Sequence, residues 1–279
     1  MNRIFFCFIH IPKCGGVTFN EILKRNFRNS YLRLPHELYE GSLPRFNLQL
    51  YISESIERKG IGGHRMSLDL PFIELNNVDL KAICFVRNPI DRIRSEFFYI
   101  KKLPGKISQN TLIHNHNCYP SYLKHLLENP EDRKVTENYQ TRYLFGELPT
   151  NFIFLEKLIS SGQLLLFPLE QFDLACLFLE RCFPDDFKDT SYVKRNVNKI
   201  EKYSNYQALE EELESKLVKD KKLYEIARQQ FDNLISEGFS DWQLRKAKNN
   251  FERRCLIRRY CYSPAQRLTR KLHYLTNLW

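Results

Sequence analysis

The chain has 279 residues, of which 43% are hydrophobic and 27% charged, enough to bury a sizeable core as one large α/β domain or two smaller ones. No apolar run approaches the roughly eighteen residues of a membrane span, and no internal repeat, low-complexity tract or Gly/Pro-rich linker divides the chain, which excludes solenoid and integral helical-membrane classes. The formal net charge of +10 is uneven: residues 245–279 hold ten Lys/Arg against Glu252 alone, a net of +9, leaving +1 for residues 1–244.

In chain order, the apolar run Ile4 to Ile9 reads as a buried strand that stops at His10-Ile11-Pro12-Lys13. Cys14, Gly15, Gly16, Val17 and Thr18 then lead into a helix over 18–28. A glycine turn feeding a helix N-terminus gathers backbone N–H groups and the positive helix end at one point, and Lys13 adds a full charge to that anion nest. The loop is not the standard nucleotide-triphosphate loop, whose lysine follows the second glycine; here Lys13 precedes both. Residues 31–60 are mixed, with a helix expected near 48–58, and Gly62-Gly63-His64-Arg65-Met66-Ser67-Leu68-Asp69 follows. A second strand, 82–87, ends at Arg87 and feeds a helix over 90–102. Pro89 suits that helix's first turn, where a missing N–H costs nothing, and Ser95 lies two turns in.

Residues 103–120 have turn character and read as a binding lid. Their His114-x-His116-x-Cys118 spacing is not that of a structural zinc site, so no metal is expected. Helices near 121–128, 136–145 and 152–160, a strand at 164–167 and a helix at 171–181 continue the alternation. Apolar positions Leu209, Leu213, Leu217, Tyr224, Ala227, Phe231 and Leu234 predict one or two closing helices over 205–236. The fold class expected is α/β: a parallel sheet with helices on both faces, binding ligands beyond the strands' carboxyl ends.

Four stretches carry a family resemblance. Pro12-Lys13-x-Gly15-Gly16-x-Thr18 resembles the 5′-phosphosulfate loop of sulfotransferases that use 3′-phosphoadenosine-5′-phosphosulfate (PAPS). The segment from Val86 to Ser95 is similar to their V-R-D-P-x-x-R-x-x-S pattern, with Asn88 in place of Asp. Gly62 to Asp69 resembles the G-H-x-x-x-x-D segment of the uronyl 2-O-sulfotransferase group, and Glu137 to Gly146 the N-x-Q-T-R-x-L-x-G segment common in the broader family. With the stretches ending Glu170-Gln171-Phe172 and running Asp220 to Phe231, the resemblance spans about residues 4 to 236.

The resemblance implies a P-loop-like three-layer fold, PAPS as sulfuryl donor, adenosine 3′,5′-bisphosphate (PAP) as product, and no metal. It implies a carbohydrate or glycoconjugate hydroxyl as acceptor. It casts Lys13 and His64 as catalytic, and Pro12, Lys13, Cys14, Gly15, Gly16, Val17, Thr18, Arg87 and Ser95 as donor-binding. Arg195 and Asn196 are implied to close a loop over the adenine and 3′-phosphate. His64 and Arg65 fall to the acceptor; Arg142 either binds an acidic acceptor or pairs with a core carboxylate, and Glu170 braces a strand end. Gly62 stands where the group often has a first His, which leaves the acceptor sugar open.

Eight cysteines, none in a C-x-x-C pair and with no secretory signal, read as reduced. Cys14 stands where the family has Thr; beside Lys13 and a helix N-terminus its pKa is expected to fall, making it oxidation-sensitive. Relatives in the Golgi carry an N-terminal anchor, and none is seen here, so the expectation is a cytoplasmic protein. The expected division is a sulfotransferase domain over 1–244 and a basic tail over 245–279. The tail either docks on an anionic membrane or acidic glycan, or packs as helices on the domain; specific nucleic-acid binding is not expected. The competing functions are a nucleotide kinase, which needs Lys after the glycines and an acidic Mg²⁺ ligand, and an inactive nucleotide-binding or membrane-docking module.

Overall fold

The computed structural model describes residues 2–34, 45–72, 75, 77–103, 111–193 and 206–261. Among them, five strands form one sheet in the order β2-β3-β1-β4-β5: β1 Arg3–Ile9, β2 Tyr31–Arg33, β3 Gly60–Gly63, β4 Val78–Val86 and β5 Leu164–Pro168. Every pairing is parallel. The last residues of β1, β4 and β5 (FFCFI, ICFV and LLLFP) are continuously buried, as a parallel sheet covered on both faces requires.

Successive strand residues point to opposite faces, and the aromatic contacts follow that rule. Phe6 meets Phe27 of helix α1 (Gly16–Phe27), and Phe8 meets Phe19 of the same helix. Phe85 of β4 joins this face, touching Phe19 and Phe172, the first residue of a later helix. Phe5 points the other way, to Tyr51 of α2 (Arg45–Ser53). The sheet is therefore sandwiched between helices, as expected for the fold class.

The remaining helices are α3 (Pro89–Ile100), α4 (Thr111–His114), α5 (Tyr119–Glu128), α6 (Pro130–Arg133), α7 (Tyr139–Phe145), α8 (Phe152–Ser160), α9 (Phe172–Cys182), α10 (Gln207–Glu214), α11 (Val218–Gly238) and α12 (Asp241–Cys261). A satellite core forms beside the main one, where Ile93 and Phe97 of α3 pack with Tyr122 and Leu126 of α5 and Leu213 of α10. The closing segment 205–236 resolves into two helices, α10 and α11. The helix expected at 136–145 starts later, as α7 at Tyr139, because its N-cap Asn138 is in a left-handed conformation (φ 50°).

Strand β2 lies inside the stretch 31–60 read only as mixed, and β3 runs from its end into the Gly62–Asp69 segment, where no strand was expected. β3 is Gly-Ile-Gly-Gly, a sequence with almost no strand propensity. Close approach explains its glycines: a Cβ on Gly62 would lie 2.4 Å from the Tyr31 hydroxyl, and one on Gly60 2.8 Å from the Phe6 carbonyl. The parallel register aligns Ile9 with Gly63 and with Cys84, so His10, His64 and Arg87 emerge at one end of the sheet.

Candidate functional site

The turn after β1 is built on two left-handed residues, Lys13 (φ 69°) and Gly15 (φ 78°). Lysine in that region is strained, a condition that persists where surrounding structure enforces it. Gly15 is the N-cap of α1, which has no side-chain cap and no acid in its first turn, so the helix end is electropositive. The Thr18 amide turns back to the Gly15 carbonyl at 3.1 Å, so Thr18 offers the nest its hydroxyl rather than its N–H. A Cβ on Gly16 would fall 1.7 Å from the His10 ring. His10 therefore lies directly over the helix start.

A cavity of about 680 Å³ opens at this end of the sheet, within the range of roughly 300–1,000 Å³ usual for small-molecule sites. Lys13 and Gly15 to Thr18 line it from one side, Arg87 and Ser95 from another. Arg87 Nη1 comes within 3.5 Å of the Lys13 carbonyl, so the two cationic segments are neighbours. Pro12, Cys14, His64, Arg65 and Arg142 are not among the lining residues; His10 is. Arg195 and Asn196 lie outside the described residues.

Lys13 Nζ sits 3.6 Å from the Tyr99 ring centroid, a cation–π contact. Burial pulls its ammonium down to about 8; Glu96 opposes that pull, and Arg87 and Arg92 add to it. Arg92, at the second arginine of the strand-helix segment, is buried (1% exposed). It pairs with Glu96 at 2.8 Å and lies over the Tyr139 ring at 4.2 Å. Asn88 caps α3 by accepting from the Ile90 and Asp91 amides, so Asn in place of Asp keeps the cap without the charge. The Asn88 amide in turn donates to Glu170 Oε1 at 3.1 Å, the bracing role expected of that residue.

Gln140 ties these parts together. Its Oε1 accepts from the Arg87 amide and its Nε2 donates to the Arg87 carbonyl, both at 2.8 Å. The Cys14 thiol also donates to Oε1, at 3.3 Å. One buried side chain thus fixes the end of β4 and the glycine loop together. Helix α7 is itself held by a reciprocal cap: Asp220 accepts from the Gln140 and Thr141 amides, while Asn138 accepts from the Lys219 and Asp220 amides of α11. Arg142 is exposed and donates to the carbonyls of Lys134, Val135 and Glu137. It is spent on closing the 130–137 segment, and the core carboxylate expected as its partner is replaced by these carbonyls.

Cys14 corrects the expectation of a reactive thiol. Its sulfur is buried, and desolvation pushes the pKa up to about 12, outweighing Arg92 and Arg87. His64 stacks on His10 with centroids 3.9 Å apart and planes at 27°, and its carbonyl accepts from the Tyr143 hydroxyl. Asn20 holds His10 in turn: its Nδ2 donates to the Gly16 carbonyl and faces His10 Nδ1 at 3.4 Å, while its Oδ1 accepts from Tyr31. Because the Gly16 carbonyl can only accept, the Asn20 amide is oriented, and the neutral His10 tautomer carries its proton on Nε2. Among the described residues no group of three His, Cys, Asp or Glu is placed to hold a metal.

The sequence reading missed His10, Gln140 and the far wall of the cavity, where Phe172, Tyr192, Lys248 and Phe251 stand. Gln140 had a signal, since it sits beside Arg142 in the segment singled out. Phe251 and Lys248 had none, because nothing local ties α12 to the loop.

No family model matches this sequence. An uncharacterised protein of Archaeoglobus fulgidus is 25% identical over 240 residues, covering 81% of this chain and 92% of its own length. Among solved structures, the chain is similar to a sulfotransferase from Alicyclobacillus acidocaldarius, with TM-score 0.41 and 14% identity over 81% of this chain and 96% of that one. It is also similar to mouse sulfotransferase SULT7A1 in complex with PAP, with TM-score 0.38 and 16% identity over 79% of this chain and 62% of that one. A fungal RNA kinase superposes with TM-score 0.28 and 15% identity over 89% of this chain and 97% of that one. At such TM-scores these likenesses add no weight, and the functional reading rests on the site's own residues.

Proposed function

We propose that this protein is a PAPS-dependent sulfotransferase that moves a sulfuryl group to a hydroxyl of a carbohydrate or glycoconjugate. The observation supporting this reading is that Lys13 with its glycine nest, and Arg87 with Ser95, face one cavity from adjacent strand ends. Two anion cradles facing one cavity suit a donor bearing charge at both its 5′ and 3′ positions. The aromatic side chains of the far wall, Phe172, Tyr192 and Phe251, suit its base. Arg87 stands where a nucleotide kinase needs an acidic ligand for Mg²⁺, which speaks against that alternative.

PAPS, when bound, supplies the activated sulfuryl group. The acceptor oxygen forms its bond to sulfur as the bond from sulfur to the 5′-phosphate oxygen breaks, and catalysis rests on positioning and charge. Lys13 neutralises the negative charge that grows on the departing phosphate oxygen. The amides at the start of α1 and the Thr18 hydroxyl hold the same group in line. Arg87 and Ser95 anchor the 3′-phosphate. His64 takes the acceptor's proton, a task suited to imidazole near neutral pH, and His10 fixes the orientation of the His64 ring through their stack.

Calorimetry with PAP, set against ATP plus Mg²⁺, tests the nucleotide class; preference for ATP with the metal would replace the reading with a kinase. Transfer of labelled sulfate from PAPS across a glycan panel tests the reaction, and it should fall at least about 100-fold in His64→Ala if His64 is the general base.

A further inference from the structure

The basic helix α12 has two different long faces. Its inner face packs on α9, burying Phe251. There Arg254 is consumed by Glu180 and Asp189, and Arg258 by Asp189 and Ser191. The outer face is unlike it. Eighteen residues make five turns at 3.6 per turn, so Trp242 and Tyr260 lie on one line along the helix, and Arg253 and Leu256 fall close to it. Trp242 is 65% exposed, Tyr260 83%, and Leu256 and Ile257 52% each. Arg245, Lys246, Arg253 and Arg259 are exposed around them, and Lys246 Nζ lies 4.9 Å from the Trp242 ring centroid. Only two acids lie on α12, Asp241 at its N-terminus and Glu252, which lines the cavity, so cations outnumber them on the outer face.

We infer that this outer face of α12 docks the protein on a bilayer surface containing anionic lipid. Cations interspersed with Trp, Tyr and aliphatic side chains match the headgroup–acyl boundary, where the apolar groups enter and the cations pair with phosphate. An acidic glycan or a nucleic acid is met by the cations but gives Leu256 and Ile257 nothing to bury against. A second copy of the same face brings like charges together. The net charge of +9 over residues 245–279 strengthens attraction to an anionic surface. On the inward side α12 gives Lys248 and Phe251 to the cavity, so the docking helix is also a cavity wall. This inference does not depend on the reaction proposed above.

The experiment is co-sedimentation of the full chain with phosphatidylcholine vesicles, with and without phosphatidylglycerol, in low and in 0.5 M salt. The expected result is pelleting on the anionic vesicles only, weakened by salt. Two outward-facing variants, Trp242→Ser/Tyr260→Ser and Lys246→Glu/Arg253→Glu, are each expected to weaken vesicle binding at least about ten-fold while leaving melting temperature and PAP affinity unchanged. Equal binding by wild type and both variants overturns the inference. So does failure of the wild type to pellet, a dimer in gel filtration that the Trp242→Ser/Tyr260→Ser variant dissolves, or capture of homopolymer RNA in preference to vesicles.

Discussion

Lys13 and Arg87 share a cavity, yet their surroundings assign them different work. Lys13 is half-withdrawn from water against Tyr99 with its pKa brought down to about 8, and it belongs to the loop proposed to meet the departing phosphate. Arg87 stands across the cavity in the other cradle, with Ser95. Lys13→Ala should therefore lower kcat by orders of magnitude while PAP affinity falls less, since an interaction that strengthens in the transition state is lost. Arg87→Ala should chiefly weaken PAP binding, by about 1.5–3 kcal/mol for a charge-assisted hydrogen bond. Steady-state kinetics beside calorimetry separates the two, and identical profiles would remove the division of roles. The depressed lysine carries a further consequence. A bound anion favours the ammonium form, so binding above pH 8 must draw a proton from solution, and affinity must fall as pH rises through about 8. Calorimetry at pH 8.5 in buffers of different ionisation enthalpy measures that uptake directly. In Lys13→Gln it should vanish, leaving PAP binding flat between pH 7.5 and 9.5.

At the scale of elements, the site depends on a clamp that no single motif announces. Gln140 holds both backbone groups of Arg87 and accepts from Cys14, and its helix is locked to α11 by the exchange of caps between Asn138 and Asp220. Gln140→Leu keeps the volume but strips partners from a buried amide and carbonyl, at about 1–3 kcal/mol for each group left unsatisfied. Its melting temperature should drop and PAP affinity fall about ten-fold or more, whereas Arg142→Ala, two residues further along the same helix and exposed, should leave PAP affinity unchanged. Loss of PAP binding in both variants would mean that the segment acts as a whole and not through Gln140. The same elements show what a sequence discloses. β1, β4 and β5 were legible because strands buried on both faces must be apolar throughout, and the Gly15-Gly16 and Asn88-Pro89 turns that follow β1 and β4 mark where those strands end and α1 and α3 begin. β3 was illegible because its three glycines answer to neighbours from distant parts of the chain, the Phe6 carbonyl, the Tyr31 hydroxyl and Leu34. Cys14 was misjudged for a related reason: flanking charge can be read from sequence, but the burial that outweighs it cannot.

On the scale of the whole molecule, α12 connects the basic C-terminal part of the chain to the nucleotide-sized cavity. It reaches across α9 to place Phe251 and Lys248 on the far wall, and ion pairs hold it there. Arg254 meets Glu180 at 2.7 Å and Asp189 at 3.0 Å, and Arg258 meets Asp189 from the other side. Burial raises the Asp189 carboxyl, but the Ser191 hydrogen bonds and then Arg258 and Arg25 lower it further, so its net displacement is below the ordinary carboxylate range. A carboxyl depressed in the folded state adds stability that is complete above the unfolded pKa and is lost as pH falls through the folded one. The α12 attachment should therefore hold at neutral pH and loosen only on acidification below the ordinary Asp range. Arg254→Met keeps the aliphatic packing against Phe251 and removes the charge from two carboxylates at once. Hydrogen exchange should then quicken along α12 at neutral pH while the amides of β1 and β4 keep their protection. PAP affinity should fall several-fold with it, since a wall of the cavity has been released. If α12 exchanged faster and PAP bound as before, the helix would be an attachment to the domain and no part of its nucleotide site.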